Sequence, residues 1–123
     1  MATVLIVDDE FGIAELLDAV LSDDGHRVVT AANGRQGLAR VAAGPPDLIF
    51  LDFMMPVMDG PAMLAALASD PGTRAIPVVL MSSMPEETVR ERASGYVAFL
   101  RKPFRIGQVR DLVGQLAAGG TNS

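Results

Sequence analysis

Four short stretches of the chain carry side chains that could do chemistry together. They are Asp8 and Asp9 in VDDE, Asp52 in LDFMMPVMDG, Ser82 in LMSS, and Lys102 in FLRKPF. Each follows an apolar run. Three carboxylates, a hydroxyl and an ammonium, with no His or Cys beside them, make an all-oxygen donor set with a single cation. Gathered in one place the acids repel one another, and one or more stays protonated unless a cation intervenes. An oxygen-only set suits Mg²⁺, which takes one or two carboxylates, keeps several waters and accepts a phosphate oxygen. Formal charge then balances, with the three acids offset by the divalent ion and Lys102, and a phosphoryl group is the natural ligand for the rest of the shell. Taken singly, each residue has an ordinary reading as well. Paired acids cap a helix, an Asp opening a Met- and Pro-rich loop makes a turn, a Ser before a helix caps it, and a Lys is solvated. Joint placement decides between the two readings, so the elements that carry these residues matter.

Five apolar runs recur at about strand length: TVLIV (3–7), RVVTA (27–31), DLIFL (47–51), IPVVLM (76–81) and YVAFL (96–100). Val, Ile, Leu and Phe on successive positions predict strands covered on both faces, as in parallel sheets. Helical spacing fills the gaps. Ile13, Leu16, Leu17, Val20 and Leu21 define a first helix that ends near Gly25. Leu38 and Val41 mark a second, Met63, Leu64 and Leu67 a third, and Ile106, Val109, Val113 and Leu116 a last one. The fourth, about 85–94, offers only Val89 as a large apolar residue. Ser83, three residues before Glu86, predicts a capped start, and Glu86 can pair with Arg90. This weakly anchored helix is the element expected to move. Strand and helix alternating five times predict right-handed βαβ units and an open parallel sheet with helices on both faces. Ligands of such sheets bind beyond the carboxyl ends of the strands, which is the rim where the four stretches fall.

With 123 residues, half of them hydrophobic, the chain is long enough for one domain with one sizeable core. We expect the domain over 1–118 and a flexible tail over 119–123. No run approaches a membrane span, and the start does not read as a signal peptide. The absence of Cys excludes disulfides and thiolate chemistry and fits a cytoplasmic location. A net charge of −5 argues against direct binding of nucleic acid. The single His26 opens the second strand, away from the rim, and is read as structural or surface. Nine of the ten basic residues are arginine, which makes the lone Lys102 conspicuous.

The stretch LDFMMPVMDG at 51–60 resembles the phosphoacceptor loop of response-regulator receiver domains, an Asp at a strand end followed by x-x-M-P-x-M-D-G. Asp52, Met55, Pro56, Met58, Asp59 and Gly60 fit it. VDDE at 7–10, GPPDLIFLD, DPGTRAIPVVLMSS and FLRKPF resemble the other motifs of that family, in order, over about residues 3–117. The resemblance implies a single-domain, chemotaxis-regulator-like (βα)5 flavodoxin-like fold, its five parallel strands in the order 2-1-3-4-5. It implies a phosphorylation switch rather than a conventional enzyme. Asp52 would accept the phosphoryl group from the phosphohistidine of a sensor kinase or phosphotransfer protein. Asp9, Asp52 and the backbone carbonyl of Met54 would ligate Mg²⁺, and Asp8 would act through metal-bound water. Ser82 would hydrogen-bond the phosphoryl group, Lys102 would stabilise its charge, and Phe99 would stand at the aromatic switch position. A compact ammonium reaches a phosphate oxygen in a crowded site where a planar guanidinium demands a wider geometry. Pro103 holds Lys102 extended, and the resemblance implies a cis peptide between them.

The chain also departs from the family's habits. Ser82 stands where Thr is frequent, Ser83 where a smaller residue is, and Tyr96, Val97 and Ala98 where Ala and acids or small residues are common. The last three make the edge of the fourth helix, fifth strand and fifth helix more apolar, which points to a downstream partner or a self-dimer there. Three rivals remain. A Mg²⁺-dependent aspartate-nucleophile phosphohydrolase would show DxDxT after the first strand, where VDDEF stands. A nucleotide or flavin module would show a glycine-rich loop there. A receiver-like domain acting without phosphorylation would lack a required residue, and none is missing.

Overall fold

The computed structural model describes residues 1–121, with side chains through 117. Its elements run β1 (Thr3–Val7), α1 (Phe11–Asp23), β2 (Arg27–Ala31), α2 (Gly34–Ala43), β3 (Leu48–Asp52), α3 (Gly60–Ser69), β4 (Val78–Ser82), α4 (Glu86–Arg90), β5 (Ala98–Arg101) and α5 (Ile106–Thr121). The strands form one parallel sheet in the order β2-β1-β3-β4-β5, the flavodoxin-like arrangement expected. Of the tail expected at 119–123, residues 119–121 continue α5, and residues 122–123 lie outside the described residues.

Successive residues of a strand point to opposite faces, and the core divides accordingly. Val4 and Ile6, Leu48 and Phe50, and Val79 and Met81 meet Leu17 and Leu21 of α1 and Val109 and Val113 of α5. Leu5 and Val7, Ile49 and Leu51, and Val78 and Leu80 meet Val41 of α2, Met63 and Leu67 of α3, and Val89 of α4. Each fully buried side chain of this size contributes about 1.5–3 kcal/mol. β3 and β4 are buried along their whole length and β1 nearly so, whereas the edge strand β2 exposes Arg27 and Thr30. Coverage of both faces therefore holds for the centre of the sheet and fails at its edge. In α1 the buried stripe is Ala14, Leu17 and Leu21, and Leu16 lies outside it.

The largest local correction falls on α4. The expected helix over 85–94 is a single turn and a half, and Ser83 does not cap it. Pro85 occupies the N-cap, and its carbonyl accepts from the N–H groups of Thr88 and Val89. The Pro ring offers no acceptor for the free N–H groups of the first turn, so the turn starts without a side-chain cap. The pairing of Glu86 with Arg90 is present at 3.4 Å. Gly25, at φ +91°, follows the last turn of α1 as the C-terminal stop. His26 lies at the amino-terminal edge of the sheet, where Nδ1 accepts the N–H of Ala2.

Candidate functional site

Asp52 and Ser82 are the last residues of β3 and β4, so the ladder carries them to the carboxyl edge. Asp52 pairs in register with Met81, and Ser82 with Arg101. Lys102 follows β5, its backbone N–H donating to the Ser82 carbonyl at 2.8 Å, and its peptide to Pro103 is cis as the resemblance implies. Asp8 follows β1, with its N–H on the Ala31 carbonyl. The loop after Asp52 turns back at once. Gly60 N–H donates to the Phe53 carbonyl at 3.0 Å, and a Cβ at Gly60 would stand 2.6 Å from the Asp52 carbonyl oxygen and 2.9 Å from the Phe53 Cα. Only a residue without a side chain lets α3 start this close. Asp59 caps α3 by accepting from Ala62, and Arg92 reaches Asp59 at 3.4 Å while its guanidinium lies 5.4 Å from the centroid of the Phe53 ring.

Lys102 is the centre of the site. Its ammonium lies 2.9 Å from Asp8 Oδ2, 2.8 Å from Glu10 Oε1 and 3.0 Å from Asp52 Oδ1. Asp8, Asp52 and Ser82 are all buried. Burial pushes the Asp52 carboxyl up to about 6, and the charges of Asp8 and Asp9 add to this while Lys102 opposes it. Burial also raises the Asp8 pKa, against hydrogen bonds from Lys102 and the Glu10 N–H. For Lys102, burial works against the charged form, but the bonds to Asp8, Glu10 and Asp52 prevail and its pKa is raised. One ammonium thus serves three acids, and the surplus negative charge remains in place.

A cleft of about 240 Å³ opens over this cluster, lined by Asp9, Glu10, Asp52, Met54, Ser82 and Lys102, with Ser83 at its side. The structure thus gathers Asp8, Asp52, Ser82 and Lys102, sets exposed Asp9 and Met54 on the rim, and leaves Phe99 half-buried in β5 against the core. Phe99 packs 6.4 Å, centroid to centroid, from Tyr96. Ser82 Oγ accepts the Met84 N–H at 3.0 Å. Carboxylate oxygens of Asp8, Glu10 and Asp52 lie within 4.8 Å of one another. This is an all-oxygen donor set of the kind Mg²⁺ takes. Glu10 is the member that motif reading missed, although the third consecutive acid of DDE at 8–10 was the available signal.

A family profile described as the response regulator receiver domain matches residues 4–114. Sporulation initiation phosphotransferase F of Bacillus subtilis is 37% identical over 113 residues, covering 89% of each chain. Response regulator PleD of Caulobacter vibrioides is 41% identical over 104 residues, covering 83% of this chain but only 23% of that protein, so the chain spans about a quarter of that longer relative. Among solved structures, the signal receiver domain of a signal transduction histidine kinase from Syntrophus aciditrophicus superposes with a TM-score of 0.90 at 33% identity, covering 100% of this chain and 95% of that one. No helix among the described residues is long and apolar enough to cross a membrane.

Proposed function

The chain belongs to the response-regulator receiver domains of two-component systems, which serve phosphorylation-dependent signalling, and from that premise we propose that Asp52 is its phosphoacceptor. The observation that carries this reading is the position of Asp52. Its carboxylate is buried at the carboxyl end of the central strand, 3.0 Å from the only lysine of the chain, and opens into a cleft of oxygen donors. An Asp52 oxygen attacks phosphorus and forms an O–P bond as the P–N bond to the donor imidazole breaks. The leaving nitrogen keeps the electron pair of that bond. The donor is the phosphohistidine of a sensor kinase or phosphotransfer protein, as the kinship with a sporulation phosphotransferase suggests.

Phosphoryl transfer of this kind depends on positioning and charge stabilisation more than on covalent chemistry by the protein. Asp9, Asp52 and the Met54 backbone carbonyl would hold Mg²⁺, with Asp8 acting through a bound water. When bound, the ion neutralises the acids and polarises the phosphoryl oxygens. Lys102 supplies the second positive charge, and the Ser82 hydroxyl donates to a phosphoryl oxygen. Ser82 then draws inward, Phe99 turns toward the space it leaves, and α4 shifts with them. The altered face of α4, β5 and α5, where Val97 is exposed, controls a downstream partner or a second copy of the chain.

The test is intact-mass spectrometry after incubation with acetyl phosphate and Mg²⁺. One phosphoryl group that requires Mg²⁺ and disappears in Asp52→Asn is expected. No adduct, together with no phosphate release above background, overturns the assignment.

A further inference from the structure

Glu10 occupies the N-cap of α1 but makes no side-chain cap bond. Its carboxylate turns to Lys102 instead, at 2.8 Å the shortest of the three acid contacts the ammonium makes. Its backbone N–H donates to Asp8 Oδ1 at 2.9 Å, so one residue braces both Lys102 and a partner of Lys102. The ammonium donates to Asp8 and Glu10, and Asp52 Oδ1 makes a third ion-pair contact at 3.0 Å. Phosphorylation removes the charge of the Asp52 carboxylate itself and brings more strongly negative phosphoryl oxygens to the ammonium, so Lys102 shifts toward them and loosens from Asp8 or from Glu10. The Asp8 side chain is fully buried, and stripping it of its cation would leave an uncompensated buried charge. The Glu10 side chain is 61% exposed, and water replaces its lost partner at little cost.

We propose that Glu10 is a positioning residue for Lys102, tethering the ammonium from the solvent side of the cleft while Asp8 and Asp52 hold it from within, until a phosphoryl group on Asp52 draws it away from Glu10. The proposal deepens the phosphoacceptor reading and rests on it. Glu10 competes with the phosphoryl group for the ammonium, so it slows phosphorylation and is released afterwards. Reach matters here as well as charge. Aspartate at this position keeps the negative charge but is one methylene too short to keep a 2.8 Å contact from the same backbone.

Because Lys102 is the only lysine, lysine labelled with ¹³C at Cε and ¹⁵N at Nζ gives a single side-chain signal to follow. Without any phosphodonor, Glu10→Asp and Glu10→Gln are expected to move the Lys102 signal relative to the parent. After acetyl phosphate and Mg²⁺, parent and variants are expected to converge on one position. Phosphorylation by acetyl phosphate is expected to speed up about two- to fivefold in both variants, the scale set by one exposed ion pair. An unmoved Lys102 signal in the unphosphorylated variants overturns the proposal, as does a difference that persists after phosphorylation. Acceleration in Glu10→Gln but not Glu10→Asp also overturns it, because that pattern reports the local field rather than the position of Lys102. The comparison without phosphodonor needs no chemistry at Asp52, so failure to form an adduct counts against the phosphoacceptor reading separately.

Discussion

Replacing Asp52 by Asn should stabilise the fold at neutral pH and not in mild acid. The Asp52 carboxyl is pushed from 3.8 up to about 6 by burial and by the charge of Asp8. Its folded pKa is thus above its unfolded value, so between these limits the folded state binds the extra proton. Stability contributed by that proton is fully present below about pH 4 and is lost as pH rises through about 6. At 1.36 kcal/mol per unit, a shift of about 2 units makes the ionised site cost about 3 kcal/mol at pH 7. Integrating the proton difference, about 2 kcal/mol of this develops between about pH 4.5 and about pH 7.5. Asn has nearly the same shape and keeps an oxygen facing Lys102, but it does not titrate. Urea unfolding followed by circular dichroism across that range should show the gap between Asp52→Asn and the parent widening with pH by about 2 kcal/mol. Two parallel stability curves would refute the claim that Asp52 is held against its charge. A gap that narrows with rising pH would show that Lys102 overcompensates for burial, reversing the sign. Millimolar Mg²⁺ should stabilise the parent and leave Asp52→Asn nearly unmoved, since the acid that makes the site hungry for a cation is gone.

Three further outcomes follow from local geometry. Gly60→Ala places a Cβ against the backbone at Asp52 and Phe53 and should cost about 2 kcal/mol or more by denaturant unfolding, as backbone displaced in a packed core does; a loss under about 0.5 kcal/mol would show that α3 can retreat freely. Val57 is exposed, β-branched and held at φ +68°, so Val57→Gly should gain up to about 1 kcal/mol in the same assay, strain relief outweighing the added chain entropy. Tyr96 donates its hydroxyl to Glu86 Oε2 at 3.0 Å; Tyr96→Phe should cost about 0.5–1.5 kcal/mol and speed amide exchange in residues 86–92 more than anywhere else in the chain.

Most of the frame was legible because its causes are local. Alternating apolar runs and helical stripes report burial directly, and they located the strands and the buried faces of α1, α3 and α5. The errors at strand ends have one cause. Apolarity marks burial, whereas a strand is defined by its hydrogen-bonded ladder, and so Asp52 and Ser82 belong to β3 and β4 rather than to the loops beyond them. The misread start of α4 has another. A Ser three residues before a Glu looks like a capping box, but Pro85 fixes the entry and leaves Ser83 exposed. The partners of Lys102 were only partly legible. Asp8 and Asp52 followed from topology, but Glu10 reaches the ammonium by a side-chain path of 92 residues' separation that no local pattern encodes. The share of burial between neighbours was hidden as well, since Asp8 and Asp9 are adjacent in sequence and opposite in exposure.

The route from Asp52 to α4 is short, and its energies are of matching size. Ser82 Oγ accepts the Met84 N–H, and a hydroxyl has one donor and two acceptor sites. It can therefore donate to a phosphoryl oxygen without releasing Met84, and any inward pull on Ser82 passes to the backbone one residue before Pro85, where α4 begins. From the other end, Arg92 links the turn after α4 to Phe53 and Asp59 of the acceptor loop. Against these pulls α4 is held by one buried side chain, Val89, worth about 1.5–3 kcal/mol. The Tyr96 hydroxyl bond adds about 0.5–1.5 kcal/mol, and the exposed pair of Glu86 with Arg90 about 0.3–0.5 kcal/mol. Their sum, about 2–5 kcal/mol, is comparable with the gain from one or two charge-assisted bonds to a phosphoryl group, about 1.5–3 kcal/mol each. Carrying a two-state element from 1:99 to 99:1 takes about 5.5 kcal/mol. In the proposed switch, a longer, better-buried α4 would put that shift beyond the reach of a single phosphoryl group on Asp52, whereas the short helix keeps it within reach.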